Sequence, residues 1–490
     1  MNLQMNRWIF ALAALAALAS AAPDHESQTD RIVCYYGSWA VYRPGSGKCS
    51  VEDIDPTLCT HLIYTFVGIS TEGDVRVLDS WNDLSDNYGK DAFGRFNALR
   101  KLSPSTKTLV AIGGWNEGSL KYSTVMANSA TRARFVKNVV DFTLKYNFDG
   151  FDLDWEYPNQ RGGKPEDVQN FVSLTKELRT EFDKHGLILS AAVGAAETSA
   201  SQSYNIPEIS KYLHFINIMS YDLHGSWEKH TGHNAPLYAR PDETGNDLKL
   251  NVDACVNYWL DQGCPPNKIV VGVPFYGRSF TLADPKNNGL RAPTTGPGAA
   301  GQYTREGGML GYNEICTNLK QGWSMVRQED STPYAYNGNQ WVGYDDVTSL
   351  KVKTNYIKSK KLGGVMLWSV ETDDFRGECG VKYPLLKTLN AELRGGVPVP
   401  PPVDPKPTEK PFTTQPPATQ PPATQPPMPP PSGLCTKNGF VRDPNDCSKF
   451  YQCANNGGTW QMTPFHCPSG TAFDPQINGC NHRSSVPGCN

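Results

Sequence analysis

Residues 148–158, FDGFDLDWEYP, place four carboxylates between Asp149 and Glu156 and alternate the last three with large apolar side chains. An extended strand turns successive side chains to opposite faces. Phe151, Leu153 and Trp155 then fall on one face, and Asp152, Asp154 and Glu156 on the other. Acids two positions apart lie roughly 6–7 Å from one another along such a strand. The apolar partners argue for burial and against a calcium loop or a solvated acidic edge. Carboxylates stacked in a dry interior do not all ionise; one keeps its proton with a raised pKa. A protonated Glu beside an ionised Asp is the pair that acid-catalysed cleavage of a glycosidic bond requires.

A strand of this kind needs a scaffold that buries its flanks and opens at its carboxyl end. Short apolar runs resembling strands begin near residues 31, 61, 108, 148, 188, 215, 268 and 363. Amphipathic stretches such as 131–146 and 165–186 lie between several of them and read as helices. Eight strands alternating with helices over about 30–395 predict a (β/α)8 barrel, an α/β fold whose chemistry sits at the carboxyl ends of its strands. A doubly wound open sheet is the competing arrangement. The long gap before the last strand predicts an inserted α+β subdomain over roughly 279–350, walling one side of the active face.

Asp149, Asp152, Asp154 and Glu156 form a DxxDxDxE pattern that resembles the signature of family 18 glycoside hydrolases, the chitinases and their inactive lectin relatives. The resemblance runs over about 31–392. It is carried in family order by GSWAVYRPG, GGWN, MSYDLHGSWEKHTGHNAPLY, PFYGRSFTL, EGGMLGYNEIC, WVGYDD and GGVMLWSVETDD. It implies the same barrel and a chitinase acting on β-1,4-N-acetylglucosamine linkages with retention of configuration. In that mechanism Glu156 protonates the leaving oxygen, and the nucleophile is the substrate's own 2-acetamido oxygen. Asp154 orients the acetamido N–H and stabilises the oxazolinium, while Asp152 shares a proton with Asp154 until substrate arrives. Asp149 reads as a structural residue at the strand's entry. Tyr221 matches the hydroxyl that binds the acetamido oxygen, and Met219 and Asp222 match its neighbours. Because sugar rings stack on flat side chains, a cleft needs aromatics. Trp368 matches the platform under the cleaved sugar; Trp39, Trp115 and Trp227 match tryptophans on either side. Tyr36, Phe66, Tyr276 and Arg278 match smaller contributors. The alternative is a chitinase-like lectin or signalling protein that binds chito-oligosaccharides, but such relatives have typically lost the acid that Glu156 retains here.

The chain has 13 cysteines. Of those in the barrel region, Cys34–Cys59 and Cys316–Cys379 resemble pairings found in the family, which leaves Cys49, Cys255 and Cys264 without an assigned partner. The six between Cys435 and Cys489 are spaced C-x11-C-x5-C-x13-C-x12-C-x8-C, which resembles a peritrophin-type, family 14, chitin-binding module. Spacing alone leaves their connectivity open; the family implies Cys435–Cys453, Cys447–Cys489 and Cys467–Cys480. At about 55 residues the module has little core, so disulfides supply much of its stability. Phe450, Tyr451, Trp460, Phe465 and Phe473 are its stacking candidates, with Tyr451 and Phe473 the ones expected to fill the core.

Between the two regions, 396–432 is rich in Pro and Thr and repeats TQPPA, the composition of an extended spacer without a core. At the other end, an apolar run from Trp8 to Ala19 follows Arg7 and precedes Ala19-Ser20-Ala21, the pattern of a secretory signal over 1–21. Secretion would put the cysteines in an oxidising environment. Net charge is −3, which favours neither nucleic acid nor an anionic membrane. The resulting expectation is a secreted, monomeric enzyme with a barrel at 30–395 and a binding module at 433–490. Its partners are chitin and chito-oligosaccharides, and no metal or cofactor is expected.

Overall fold

The computed structural model describes residues 30–327, 332–399, 434–435, 439–456, 459–467, 471–475, 479–483 and 486–489. The expected signal segment, all of the expected spacer beyond 399, and the side chain of Trp460 lie outside the described residues. The chain divides into two compact units on either side of Lys410 and Pro411.

The first unit is a closed parallel barrel. Its strands are β1 (Arg31–Gly37), β2 (His61–Ile69), β3 (Lys107–Gly113), β4 (Gly150–Asp154), β5 (Ile188–Gly194), β6 (Phe215–Met219), β7 (Ile269–Pro274) and β8 (Gly364–Trp368). Each pairs with the next in parallel, and β1 pairs with both β2 and β8, which closes the sheet and excludes the open doubly wound alternative. All eight begin within two residues of the positions read from the sequence.

Period-two alternation divides the core into two layers. Val33, Tyr35, Ile63, Leu109, Ala111, Ala192, Phe215, Val270 and Met366 fill the barrel interior. Ile32, Cys34, Val110, Phe151, Leu153, Ile216 and Leu367 face outward into a larger layer shared with the helices. The helix Ser129–Lys145 shows how that layer forms. Asn128 caps it, its Oδ1 accepting from the N–H groups of Ala130 and Thr131, and one face buries Phe135, Val136, Val139 and Phe142. The helix Asp167–Asp183 packs beside it, burying Phe171, Leu174, Leu178 and Phe182.

The insertion lies between β7 and β8, as the long gap predicts, but with different limits. Its antiparallel strands run from Tyr276–Leu282 to Gln340–Gly343 and enclose a small core of Phe280, Leu282, Tyr334 and Trp341. It begins two residues after β7 rather than at 279. Val347–Ser359, part of which the sequence assigned to the insertion, is a helix that packs on the barrel through Val347, Leu350 and Ile357.

The second unit contains an antiparallel sheet of Gly439–Arg442, Lys449–Asn456 and Thr459–His466, and a two-stranded ribbon, Thr471–Asp474 with Gly479–His482. Its disulfides are Cys435–Cys453, Cys447–Cys489 and Cys467–Cys480; the barrel unit has Cys34–Cys59 and Cys316–Cys379. Cys49, Cys255 and Cys264 are free and buried. Tyr451 and Phe473 are core residues: the Tyr451 hydroxyl donates to Asp443 Oδ2 at 2.7 Å, and Phe473 stacks on Phe450 with ring centres 4.3 Å apart.

Candidate active site

β4 delivers its acids as alternation requires. Phe151, Leu153 and Trp155 sink into the outer layer, where the Trp155 indole N–H donates to Ser119 Oγ at 2.6 Å and its ring stacks on Tyr122. Asp152, Asp154 and Glu156 are all buried on the opposite side, with Glu156 just past the carboxyl end of the strand. Asp149 anchors the strand's start through Thr108 N–H at 2.8 Å and Arg100 at 2.9 Å. Two glycines let β3 approach. A Cβ at Gly113 would stand 2.1 Å from the Asp154 carbonyl oxygen, and one at Gly114 would stand 2.7 Å from the Phe66 ring; both have positive φ.

The three acids differ in their partners. Asp152 is held by donors from three strands. Tyr35 donates to Oδ2 at 2.7 Å, the Ser190 hydroxyl donates to Oδ1, and Asn217 Nδ2 reaches Oδ1 at 3.4 Å and Tyr35 Oη at 3.0 Å. Burial pushes Asp152 up to about 6, and these donors pull against it. Asp154 Oδ1 is buried with no hydrogen-bond partner. Burial, then the charges of Glu156 and Asp152, hold Asp154 well above the ordinary carboxylate range. Glu156 is raised to about 7 by burial, with Asp222 adding to the rise and the Tyr157 hydrogen bond and Arg161 charge opposing it. Between them Asp154 and Glu156 therefore keep a proton at neutral pH. The expected shared proton between Asp152 and Asp154 meets an Asp152 whose oxygens already accept from Tyr35, Ser190 and Asn217.

β6 and β7 supply the facing wall. Tyr221 follows β6, packs against the interior cluster and has its hydroxyl 3.7 Å from Met366 Sδ, a weak acceptor. Met219 packs against the same cluster. Asp222 takes a left-handed φ of 56° and is fixed there. Its N–H donates to Asn234 Oδ1 at 2.7 Å, while Tyr276 and Arg278 donate to its carboxylate at 2.7 Å.

The aromatics ring the mouth because each follows the carboxyl end of a strand. Trp39 follows β1, Trp115 β3 and Trp227 β6, and Trp368 ends β8. Trp39, Trp115 and Trp227 are 42%, 57% and 59% exposed, which suits them to a ligand rather than a core. Trp368 bridges the two environments, packing on Tyr35, Trp39 and Phe66 at ring distances of 5.7, 6.1 and 5.8 Å.

One assigned residue is elsewhere. Tyr36 is fully buried in the outer layer, donates to the Cys49 carbonyl at 3.0 Å and packs on Tyr64 and Phe96. The residue of that pair facing the cavity is Tyr35, because β1 turns Val33 and Tyr35 inward and Ile32, Cys34 and Tyr36 outward. Sequence reasoning also missed Ser190, Asn217, Asn234 and Arg161. The first two carried a signal, as polar residues at inward positions of the apolar runs ILSAAVG and FINIMSYD. Arg161 donates to the Glu156 carbonyl at 3.0 Å and lies over the Trp115 ring at 3.6 Å; it sits in a loop, where no periodicity marks it.

Residues 31–373 match glycosyl hydrolases family 18, and 435–489 match the chitin-binding Peritrophin-A domain. An endochitinase of Manduca sexta is 45% identical over 403 residues, covering 80% of this chain and 72% of that protein. Chitotriosidase-1 of Mus musculus is 37% identical over 463 residues, covering 92% and 95%. Among solved structures, the Group IV chitinase of Ostrinia furnacalis in complex with allosamidin is 47% identical with a TM-score of 0.72, covering 75% of this chain and 99% of that one. Human YKL-39, described as a pseudo-chitinase with retained chitooligosaccharide binding, is 39% identical with a TM-score of 0.69, covering 74% and 99%.

Proposed function

The chain belongs to glycosyl hydrolase family 18 and carries a chitin-binding Peritrophin-A domain at 435–489, and from that premise we propose that it is a secreted chitinase with a tethering module. Glu156 donates its proton to the oxygen of a β-1,4 linkage between N-acetylglucosamine units. The substrate's 2-acetamido carbonyl oxygen attacks C1, Asp154 accepts the acetamido N–H, and the bond to the leaving sugar breaks. Water activated by the Glu156 carboxylate then opens the oxazolinium, so two inversions retain the β configuration. Tyr221 holds the acetamido oxygen, Trp368 lies under the sugar, and Trp39, Trp115 and Trp227 extend the cleft.

The observation carrying this reading is Asp154 Oδ1, buried without a partner beside a Glu raised to about 7. An orphaned acceptor in a dry cavity is costly unless a ligand donor meets it. An N–H arriving there favours the Asp154 anion and leaves the pair's proton on Glu156, where cleavage needs it. Secretion is supported by the disulfides and by the expected signal segment. The lectin alternative is disfavoured by a complete set of acids in a buried site.

The test is incubation with chito-hexaose, following products and anomers by proton NMR. Shorter oligomers emerging as the β-anomer, with no cleavage of the fully N-deacetylated hexamer, are expected. Initial α-anomer, or equal cleavage of the deacetylated chain, overturns the acetamido mechanism. Glu156→Gln should abolish turnover while sparing oligosaccharide binding.

A further inference from the structure

The strand Tyr276–Leu282 has two faces. Arg278 points at Asp222 in the active site, so its neighbour Ser279 points the other way. On that reverse side a cavity of about 200 Å³ opens in the insertion, lined among others by Ser279, Gln302, Leu310, Asn318, Gln321 and Trp323. The site just described does not use it.

Its chemistry is neutral. The carboxylate in its wall, Glu314, is fully engaged: Tyr303 N–H and Thr304 N–H donate to Oε1, and Gly311 N–H and the Thr304 hydroxyl donate to Oε2. Gln340 in turn braces the rim, its Oε1 accepting from Ala299 N–H at 2.7 Å. By contrast, the Ser279 hydroxyl is buried without a hydrogen-bond partner. The side-chain amides of Gln302, Asn318 and Gln321 make no hydrogen bond to any described residue.

We infer that this cavity is a second carbohydrate site, taking one N-acetylglucosamine unit of a chitin chain outside the catalytic cleft. Three features select the ligand. Uncommitted amides and a hydroxyl complement sugar hydroxyls and an acetamido arm. One indole offers a face for a pyranose ring. The volume holds about seven waters at roughly 30 Å³ each, space for one sugar and not for a chain segment. With the Glu314 carboxylate already taken up by its four donors, no uncommitted charge in the lining favours an ionic ligand. A contact of this kind lets the barrel unit itself hold a neighbouring chain of a solid polymer while the cleft works, raising effective concentration. The choice of sugar rests on the chitinase reading; the existence of the site does not.

The test is hydrogen–deuterium exchange on the full chain carrying Glu156→Gln, which prevents turnover, with chito-tetraose and, in parallel, maltotetraose. Slowed exchange is expected with chito-tetraose in segments 299–302 and 318–323 as well as at the cleft residues 113–117 and 219–227. Adding Ala300→Trp at the exposed rim should fill the cavity and abolish protection of the first two segments only. Protection confined to the cleft overturns the second site and leaves the chitinase reading standing. Protection of 299–302 and 318–323 that survives Ala300→Trp, or that maltotetraose produces equally, also overturns it. Protection at neither place overturns both.

Discussion

Replacing Tyr35 with Phe removes one oxygen from the barrel interior and tests how the acid triad is held. The Tyr35 hydroxyl donates to Asp152 Oδ2 at 2.7 Å and accepts from Asn217 Nδ2 at 3.0 Å, all in the buried interior. A hydrogen bond to a charged group contributes about 1.5–3 kcal/mol, a neutral one about 0.5–1.5. Asp152 is already raised to about 6 by burial, so its burial penalty on the folded state builds up as pH rises from the ordinary Asp value of about 4 to about 6 and stays constant above that. Losing the donor raises that pKa further, by about one unit per 1.4 kcal/mol. The extra destabilisation is therefore largest above pH 6, where Asp152 is ionised, and smallest near pH 4, where only a neutral bond is lost. Thermal unfolding of the barrel transition should fall on the order of 2–5 °C at pH 8, with a clearly smaller fall at pH 4.5. An equal fall at both pH values would mean that the hydroxyl supports packing and not the Asp152 charge; no fall at either would refute the whole account of the triad.

Other consequences follow from the same geometry. With Glu156 raised to about 7, kcat/KM should decline as pH rises through 7, and Asp222→Asn, which removes a charge that raises Glu156, should move that decline to lower pH; a shift upward would refute the coupling. Trp368→Ala should lower kcat/KM for oligomers about 10- to 100-fold, the equivalent of about 1.5–3 kcal/mol of lost ring burial, without displacing the alkaline limb. Deleting 396–490 should leave cleavage of soluble oligomers nearly unchanged and reduce adsorption to solid chitin; equal adsorption by both chains would remove the module from the function. Because burial pushes Cys255 up to about 12 and Cys264 up to about 11, neither thiol should react with a disulfide reagent at pH 8 until the protein unfolds, and rapid labelling would contradict their placement.

What the sequence made legible is what a period of two encodes. Apolar runs locate all eight barrel strands, and alternation along β4 and just past its end puts Asp152, Asp154 and Glu156 on the interior face. The same rule applied to CYYG distinguishes its tyrosines: counting inward from Val33 makes Tyr35 the interior residue and Tyr36 an outer-layer one. Matching motifs alone chose the wrong tyrosine because adjacent identical residues differ only in parity. Ser190 and Asn217 were recoverable by the same count. Arg161, Asn234 and the limits of the insertion were not, since loops carry no period and their contacts are fixed by the tertiary fold. That Cys49, Cys255 and Cys264 stay unpaired was equally unreadable, because whether two thiols meet depends on distances that spacing does not contain. The division has a physical basis in the site itself. Strands set which acids share the dry interior, and so which of them must hold a proton. Loops such as those bearing Arg161 and Asn234 then adjust that proton from outside the pattern, Arg161 by opposing the rise in Glu156 and Asn234 by fixing the backbone of Asp222. The reaction class is thus written in the regular part of the chain, and its tuning in the irregular part.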